Sequence, residues 1–525
     1  MNFKKVKTIV LILALSTAVV GCGNQSTGES SRENSTSVVS NEDNVLVYGS
    51  NDYDQINPAL YEHGEINSLI FSGLTAHDEN NNIVMSLAKD YEYNENDLTY
   101  TFNLRDDVLW HDGEKFTAND VKFTLEAILN PDNQSEIVSN YEDITDIEII
   151  NDYTIKLTLK SKNVAILDYL TVGILPKHLL EGKNLATDSF NQNPIGTGPF
   201  KLEEWDIGQS ITLVKNEDYF NGDVGLDGVI FKIVEDSKAK VLQLKSGELD
   251  LAQVTAKDIE NFKDNEKFGI NILKTADYRG IMYNFSKPLF KDNKELPNAL
   301  SYGIDRQKIV DSILLGYGEV AYSPIQMGEY NNESMEKFEY NPEKARVELE
   351  NAGWIKNNDG IYEKNGTSLA FEIICSENDQ VRIDMANICA QQLNEIGANV
   401  TVSVESKIDW SNEDSYLVGW GSPFDPDDHT YKVFKTDEAS NYNFYSNSQV
   451  DEFLIKARET NNKEERLGYY KDFQDALTEE MPYTFIAYID AIYVGDSNIS
   501  GISDRTVLGH HGVGIFWNIA EWTIE

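Results

Sequence analysis

Leu104-Arg105-Asp106-Asp107-Val108-Leu109-Trp110-His111-Asp112-Gly113-Glu114-Lys115-Phe116-Thr117-Ala118-Asn119-Asp120-Val121 is the stretch whose reading decides the fold. Leading into it, Tyr100, Phe102 and Leu104 alternate with polar residues, the period of a strand buried on one face. At its far end Thr117 and Asp120 have the spacing of a capping box. Val121, Leu125 and Ile128 follow on one helical face. The acids between, Asp106, Asp107 and Asp112, read as turn and cap residues rather than catalysts.

Working outward, the same alternation of strand and helix runs through the chain. Ile155, Leu157 and Leu159 share one strand face, and so do Val400, Val402 and Val404. Asn341-Pro342 is an N-cap with proline at the first helical position. Ala345, Leu349 and Ala352 line the helix it starts, and Gly353 stops it. Gln391–Ile396 ends at Gly397 and passes straight into the Val400 strand. Such a pattern specifies a mixed α/β protein. The 525 residues suggest two or three domains, and the 41% hydrophobic content can fill a sizeable core. No internal repeat is visible. The turn-rich 325–340 region reads as a surface loop. Asn357-Asn358-Asp359-Gly360 reads as a hairpin turn, because it lacks the acidic spacing of a calcium loop.

The N-terminus carries an address. Lys4, Lys5 and Lys7 precede an apolar run from Ile9 to Val20, which is short of the roughly 20 residues a membrane span needs. Residues 1–21 therefore read as an export signal. The junction Val19-Val20-Gly21-Cys22 is similar to a bacterial lipobox, which makes Cys22 the lipidated N-terminus of the mature chain. Residues 22–44 form a polar tether. The expected location is the extracytoplasmic face of the cell membrane, held by the lipid anchor. The formal net charge is −44, and about −47 once the signal is removed. A charge of that sign repels nucleic acid and admits cations, peptides and neutral solutes. Besides Cys22 only Cys375 and Cys389 are present, as a disulfide or as two buried thiols.

Four further stretches join the first. They are Pro194-Ile195-Gly196-Thr197-Gly198-Pro199-Phe200, Asn216-Glu217-Asp218-Tyr219-Phe220, Leu300-Ser301-Tyr302-Gly303-Ile304-Asp305-Arg306 and Tyr340-Asn341-Pro342-Glu343-Lys344-Ala345. Together they resemble the extracytoplasmic solute-binding proteins of ABC importers, the peptide/nickel-binding family 5. The resemblance implies a periplasmic-binding-protein-like type II fold of two lobes joined by a hinge, with an extra subdomain on the first lobe. Mapped here, lobe I takes 45–75, 195–280 and 495–525, the extra subdomain 76–194, and lobe II 281–494. The Gly196-Thr197-Gly198-Pro199 run lacks the lysine of a phosphate-binding loop and reads as a tight connection.

The resemblance also places ligand contacts. The segment Trp420-Gly421-Ser422-Pro423-Phe424-Asp425-Pro426-Asp427-Asp428-His429 lines the cleft in the family. Peptide binders put an aspartate where Ser422 stands; Asp425, Asp427 or Asp428 are the available substitutes. The spelling Trp-Gly-x-Pro-aromatic-Asp-Pro is closer to the nickel-binding branch, although Trp420 and Phe424 also suit plain core packing. Tyr283 and Asn284 match a segment near the hinge, in a Gly280–Phe285 crossover. Of only seven histidines, His63 falls in an early cleft loop, and His510 and His511 share a glycine-rich turn. Nitrogen ligands of this kind suit Ni²⁺; solvated loop histidines are the alternative.

The expected function is capture of short peptides and delivery to the transmembrane subunits of an ABC permease. Capture of a nickel chelate, with Ni²⁺ as transported ligand, is the alternative. No cofactor and no catalysis are expected, since neither a Gly-x-Ser-x-Gly elbow nor a His-Glu-x-x-His helix is present. A monomer is expected.

Overall fold

The computed structural model describes residues 44–525 apart from 62, 63, 327, 423, 503–507 and 510–513. The signal 1–21, Cys22 and the tether up to residue 43 lie outside the described residues.

Two sheets organise the body. The first orders its seven strands as Phe268–Leu273, Ala491–Asp496, Leu251–Gln253, Val45–Ser50, Gly228–Ile233, Ser210–Lys215 and Phe200–Asp206. Val45–Ser50 is central and runs parallel to both of its neighbours. The second sheet orders six strands as Gly318–Val320, Tyr483–Ile489, Tyr278–Tyr283, Ser415–Trp420, Ala370–Ser376 and Asn399–Glu405. Each sheet has its own hydrophobic core. The extra subdomain is a four-stranded sheet, Ala88–Asn94, Thr99–Leu104, Thr154–Leu159 and Ile144–Asn151, backed by the helix Ala118–Leu129. Its core residues Phe102, Val121 and Leu157 are continuous with those of the first lobe.

The deciding stretch folds as its chemistry dictates. Asp120 Oδ2 accepts the Thr117 N–H at 2.9 Å and Thr117 Oγ1 accepts the Asn119 N–H at 3.3 Å, closing the capping box. Val121, Leu125 and Ile128 are fully buried. His111 meets the Gly196–Pro199 run directly. The His111 N–H donates to Gly196 O at 3.0 Å, Gly196 N–H donates to His111 Nδ1 at 3.2 Å, and His111 Nε2 lies 3.1 Å from Gly198 O. Burial pulls the His111 imidazole down to about 4, so it is neutral and serves as both donor and acceptor. A Cβ at Gly196 would lie 1.8 Å from Ile70 O, so that backbone contact requires glycine. The two landmarks are thus halves of one packing joint. Arg306 is a third structural device: buried, it donates to Phe485 O and Phe338 O, both at 2.7 Å.

The chain crosses between lobes at Lys274–Asp277 and at Asp490, and the crossings are bonded to each other. Thr275 Oγ1 donates to Ile489 O at 2.6 Å, Ile489 N–H donates to Asp277 O at 3.0 Å, and Lys274 Nζ lies 3.3 Å from Asp490. Two mapped boundaries therefore move. Tyr278–Tyr283 belongs wholly to the second sheet rather than to a crossover, and Ala491–Asp496 to the first. The reason is local: all six residues of Tyr278–Tyr283 are buried, as in a central strand covered on both faces. The 325–340 loop has no strand or helix among its described residues, but Ile325, Met335 and Phe338 anchor it in the core. The 357–360 turn joins paired strands Ile355–Lys356 and Tyr362–Lys364. Cys375 and Cys389 are free and buried.

Candidate functional site

A cavity of about 340 Å³ lies between the lobes. The first lobe and its subdomain contribute Tyr61, Glu65, Asp168, Tyr169 and Phe516, and the second lobe Ser422, Phe424 and Asp428. The lobes touch around it. The Phe424 ring stacks on His77, centroids 3.8 Å apart and 6° from parallel. Tyr169 hydroxyl donates to Asp427 Oδ2 at 2.8 Å, and Val164 N–H donates to Arg458 O at 3.0 Å. These bonds join the extra subdomain to lobe II directly.

The segment after Trp420 is placed by one glycine. A Cβ at Gly421 would lie 1.9 Å from Ala276 O, so only glycine lets the strand turn against the crossing. Beyond the turn Ser422 and Phe424 face the cavity. Trp420 does not line it; its ring packs near Tyr442 and His429. The acids that follow are held by arginines. Arg466 donates to Asp425 through two bonds of 2.6 Å. Arg458 grips Asp427 at 3.0 and 2.5 Å and reaches Asp143 of the subdomain at 3.6 Å. Asp428 lies 3.0 Å from His429 Nδ1 and 3.2 Å from Lys432 Nζ. Burial opposes its ionisation, but Lys432 and His429 prevail and hold its carboxyl well below the usual range.

Tyr283 and Asn284 are not brought to this cavity. Tyr283 hydroxyl lies 2.8 Å from Thr484 Oγ1, and Asn284 Nδ2 donates to Glu413 O at 3.0 Å, both inside lobe II. His63, His510 and His511 lie outside the described residues. Their described neighbours Gly64 and Gly514 line the cavity. Among the described residues no cluster of three or more His, Cys, Asp or Glu has a metal-holding arrangement.

Three charged residues that no motif marked also face the cleft. Glu65 accepts from the Tyr48 hydroxyl at 3.0 Å and the Tyr493 hydroxyl at 3.4 Å. Burial pushes its carboxyl up to about 7. Asp168 lies 3.0 Å from His77 Nε2; burial raises its carboxyl well above the usual range, and the Asp425 charge adds to the rise. Arg382 lines a second cavity of about 490 Å³ that shares Gly64 and Glu65 with the first. Each is assembled from separate strands and helices, so no local sequence pattern could reveal it. No helix of the described residues is long and apolar enough to cross a membrane.

Two lobes hinged at paired crossings around a shared cleft define a solute-binding protein. The family model for bacterial extracellular solute-binding proteins, family 5, matches residues 82–442, and the chain belongs to that family of ABC importer receptors. The oligopeptide-binding protein AppA of Bacillus subtilis is 32% identical over 486 residues, 87% of each chain. Among solved structures, NikZ from Campylobacter jejuni in complex with Ni(L-His) is 43% identical with a TM-score of 0.85, covering 91% of this chain and 99% of that one. AppA from B. subtilis in complex with a nonapeptide is 31% identical with a TM-score of 0.81, covering 92% and 99%. The family consists of transporter receptors rather than enzymes, and the two-lobed α/β expectation holds.

Proposed function

We propose that this chain captures a small nickel chelate outside the membrane and delivers it to an ABC permease. One observation carries the choice of cargo. The two histidine-bearing segments are separated by most of the chain, yet their described neighbours Tyr61, Gly64 and Gly514 line one cavity. We assign His63, His510 and His511 as nitrogen ligands of the metal, which nickel favours. The likeness to NikZ supports this reading. So does the cavity, at the low end of the roughly 300–1,000 Å³ typical of small-ligand pockets. So does the neighbourhood of Ser422: Asp425 and Asp427 are already gripped by arginines, leaving neither as an easy partner for a peptide ammonium.

This order reverses the expectation from sequence, in which peptides came first. A short peptide stays the second reading, favoured by the continuation of the cleft past Glu65 and by the likeness to AppA. In either case a ligand touching both lobes favours the closed arrangement. A micromolar ligand supplies about 8 kcal/mol, part of which offsets closure. Export by the 1–21 signal, lipid on Cys22 and the 22–44 tether would keep a monomeric receptor beside its permease.

Calorimetry of the metal-stripped mature protein tests the cargo. Ni²⁺ with L-histidine should bind with micromolar or tighter affinity, and His511→Ala should weaken it at least tenfold. Binding should also fade as pH drops below about 6.5, because a protonated imidazole cannot hold metal. Peptide binding with no response to nickel would overturn the choice.

A further inference from the structure

We propose that the stacked rings of His77 and Phe424 are a partition that sets the size of ligand this receptor accepts, closing off a small apolar chamber that would otherwise take an aryl group. The inference rests on the cleft being the ligand site, and it deepens the nickel reading by restricting the chelator to one without a bulky apolar arm.

Ser422 and Phe424 wall the cavity of about 340 Å³ and also a third, smaller one of about 150 Å³. Phe424 therefore stands between the two. His77 lines the larger cavity, and Asn80 and Asn81, a few residues further along the chain, line the smaller. Pro324, Ile325, Tyr330 and Pro426 of lobe II give the small chamber its apolar walls. Its polar groups already have partners. The Tyr488 hydroxyl donates to Ser323 O at 2.8 Å and accepts the Gln326 N–H at 3.1 Å. Gln326 Nε2 donates to Val320 O at 2.7 Å, and Thr430 Oγ1 to Pro426 O at 2.7 Å. His429 Nδ1 lies 3.0 Å from Asp428. What the chamber offers a ligand is apolar surface, and a cavity of roughly 150 Å³ with such walls holds a benzene ring.

The partition is fixed from both sides. His77 ends the short strand Thr75–His77, and Thr75 Oγ1 pins that strand by donating to Leu167 O at 2.7 Å. The His77 Nε2 lies 3.0 Å from Asp168 Oδ1, in the helix Ile166–Tyr169. The His77 side chain is 5% exposed, so turning the imidazole away would strip a buried carboxyl of this contact. On the other side, Phe424 follows the Gly421 turn, and its N–H donates to Ser422 Oγ at 3.4 Å. The next residue, Asp425, is clamped by Arg466, which keeps the backbone from swinging the ring aside. The two rings stand 3.8 Å apart and come from different lobes, so the partition is completed only by closure. A compact chelate leaves the rings in contact. An aryl arm reaching past them has to part the stack or hold the lobes open, and a close-packed joint yields to neither cheaply. Selectivity of this kind comes from the clash with the wrong ligand rather than from an added contact with the right one.

The test uses the metal-stripped mature protein and two pairs of probes in calorimetry. One pair is L-histidine and Nτ-benzyl-L-histidine, each in excess over Ni²⁺; the benzyl group leaves the amine, the carboxylate and the other ring nitrogen able to chelate. The second pair is triglycine and glycylglycylphenylalanine. The wild-type chain should bind the small member of the bound pair at least tenfold tighter than its aryl counterpart. Phe424→Ala should tighten binding of the aryl member at least tenfold, and His77→Ala should do so by a smaller factor. His77→Phe keeps a ring in the stack and should retain the wild-type preference. Equal affinities for both members in the wild-type chain overturn the partition without recourse to a variant. Variants that weaken both members alike and leave the preference unchanged overturn it as well, since that is the signature of a merely structural role. A nickel response without size preference sinks the partition and leaves the nickel reading standing. Size preference among the peptides without any nickel response does the opposite. Failure of all four probes overturns both.

Discussion

Two groups of arginines and carboxylates face the cleft from lobe II, and they are balanced in opposite ways. After the Gly421 turn, Asp425 meets Arg466 and Asp427 meets Arg458, each through a bidentate grip, with Tyr169 of the subdomain completing the second. At the start of the Gln380–Ile396 helix, Arg382 meets one edge of Asp379 and the repulsion of Arg279. The saturated group is wall and latch; the other is held to the frame by a single carboxylate. In a buried site, the polar group with unfilled capacity is the one that can recognise something, because filled groups have nothing to exchange for water.

The contrast can be broken by mutation. Arg466→Ala leaves Asp425 enclosed without its partner and should cost about 3–5 kcal/mol in a denaturant melt, the largest effect in this set. Glu65→Gln asks what a buried carboxyl without an arginine costs. With its pKa raised to about 7, the neutral form of Glu65 is the stabilising one. That stability is fully present below the ordinary 4.5 and is lost as pH rises through about 7. The variant should therefore gain on the wild type across that window, levelling near 2 kcal/mol, since the carboxylate keeps some access to the cavity. Stability melts at pH 5 and pH 8 read the difference. Tyr169→Phe removes one bond to a charged group across the lobes and should cost about 1–2 kcal/mol, with weaker ligand affinity as closure loses a contact. Arg382→Gln should change stability least, by under about 1 kcal/mol, because it loosens one contact with a partly exposed Asp379. A large destabilisation there would place Arg382 with the saturated group.

Much of the frame was legible because it is written locally. The capping box at Thr117 and Asp120, the Asn341-Pro342 helix start and the 357–360 turn each depend on neighbours in sequence, and each appears as expected. The landmark runs were legible as a joint pattern, although their purpose emerged only when His111 was found bonded to Gly196 and Gly198. The Gly280–Phe285 stretch reads as a crossover, yet Gly280–Tyr283 lies in a fully buried central strand whose partners, Ser415–Trp420 and Tyr483–Ile489, are far away in sequence. Among the expected contacts, Ser422 and Phe424 reach the cavity, whereas Asp425 and Asp427 are engaged by arginines more than thirty residues downstream. Glu65, Asp168 and Arg382 carried no signal, because what distinguishes them is the absence or excess of partners brought by other elements.

The order of residues alone settled the alternation of strands and helices, the caps that start the helices and the glycines, Gly353 and Gly397, that stop them, for these follow from backbone sterics and the spacing of apolar side chains. Which carboxylates are spent and which cation is left wanting was decided only when distant segments met across the cleft. Electrostatic balance is a sum over neighbours in space, and a chain read from end to end does not state who those neighbours are.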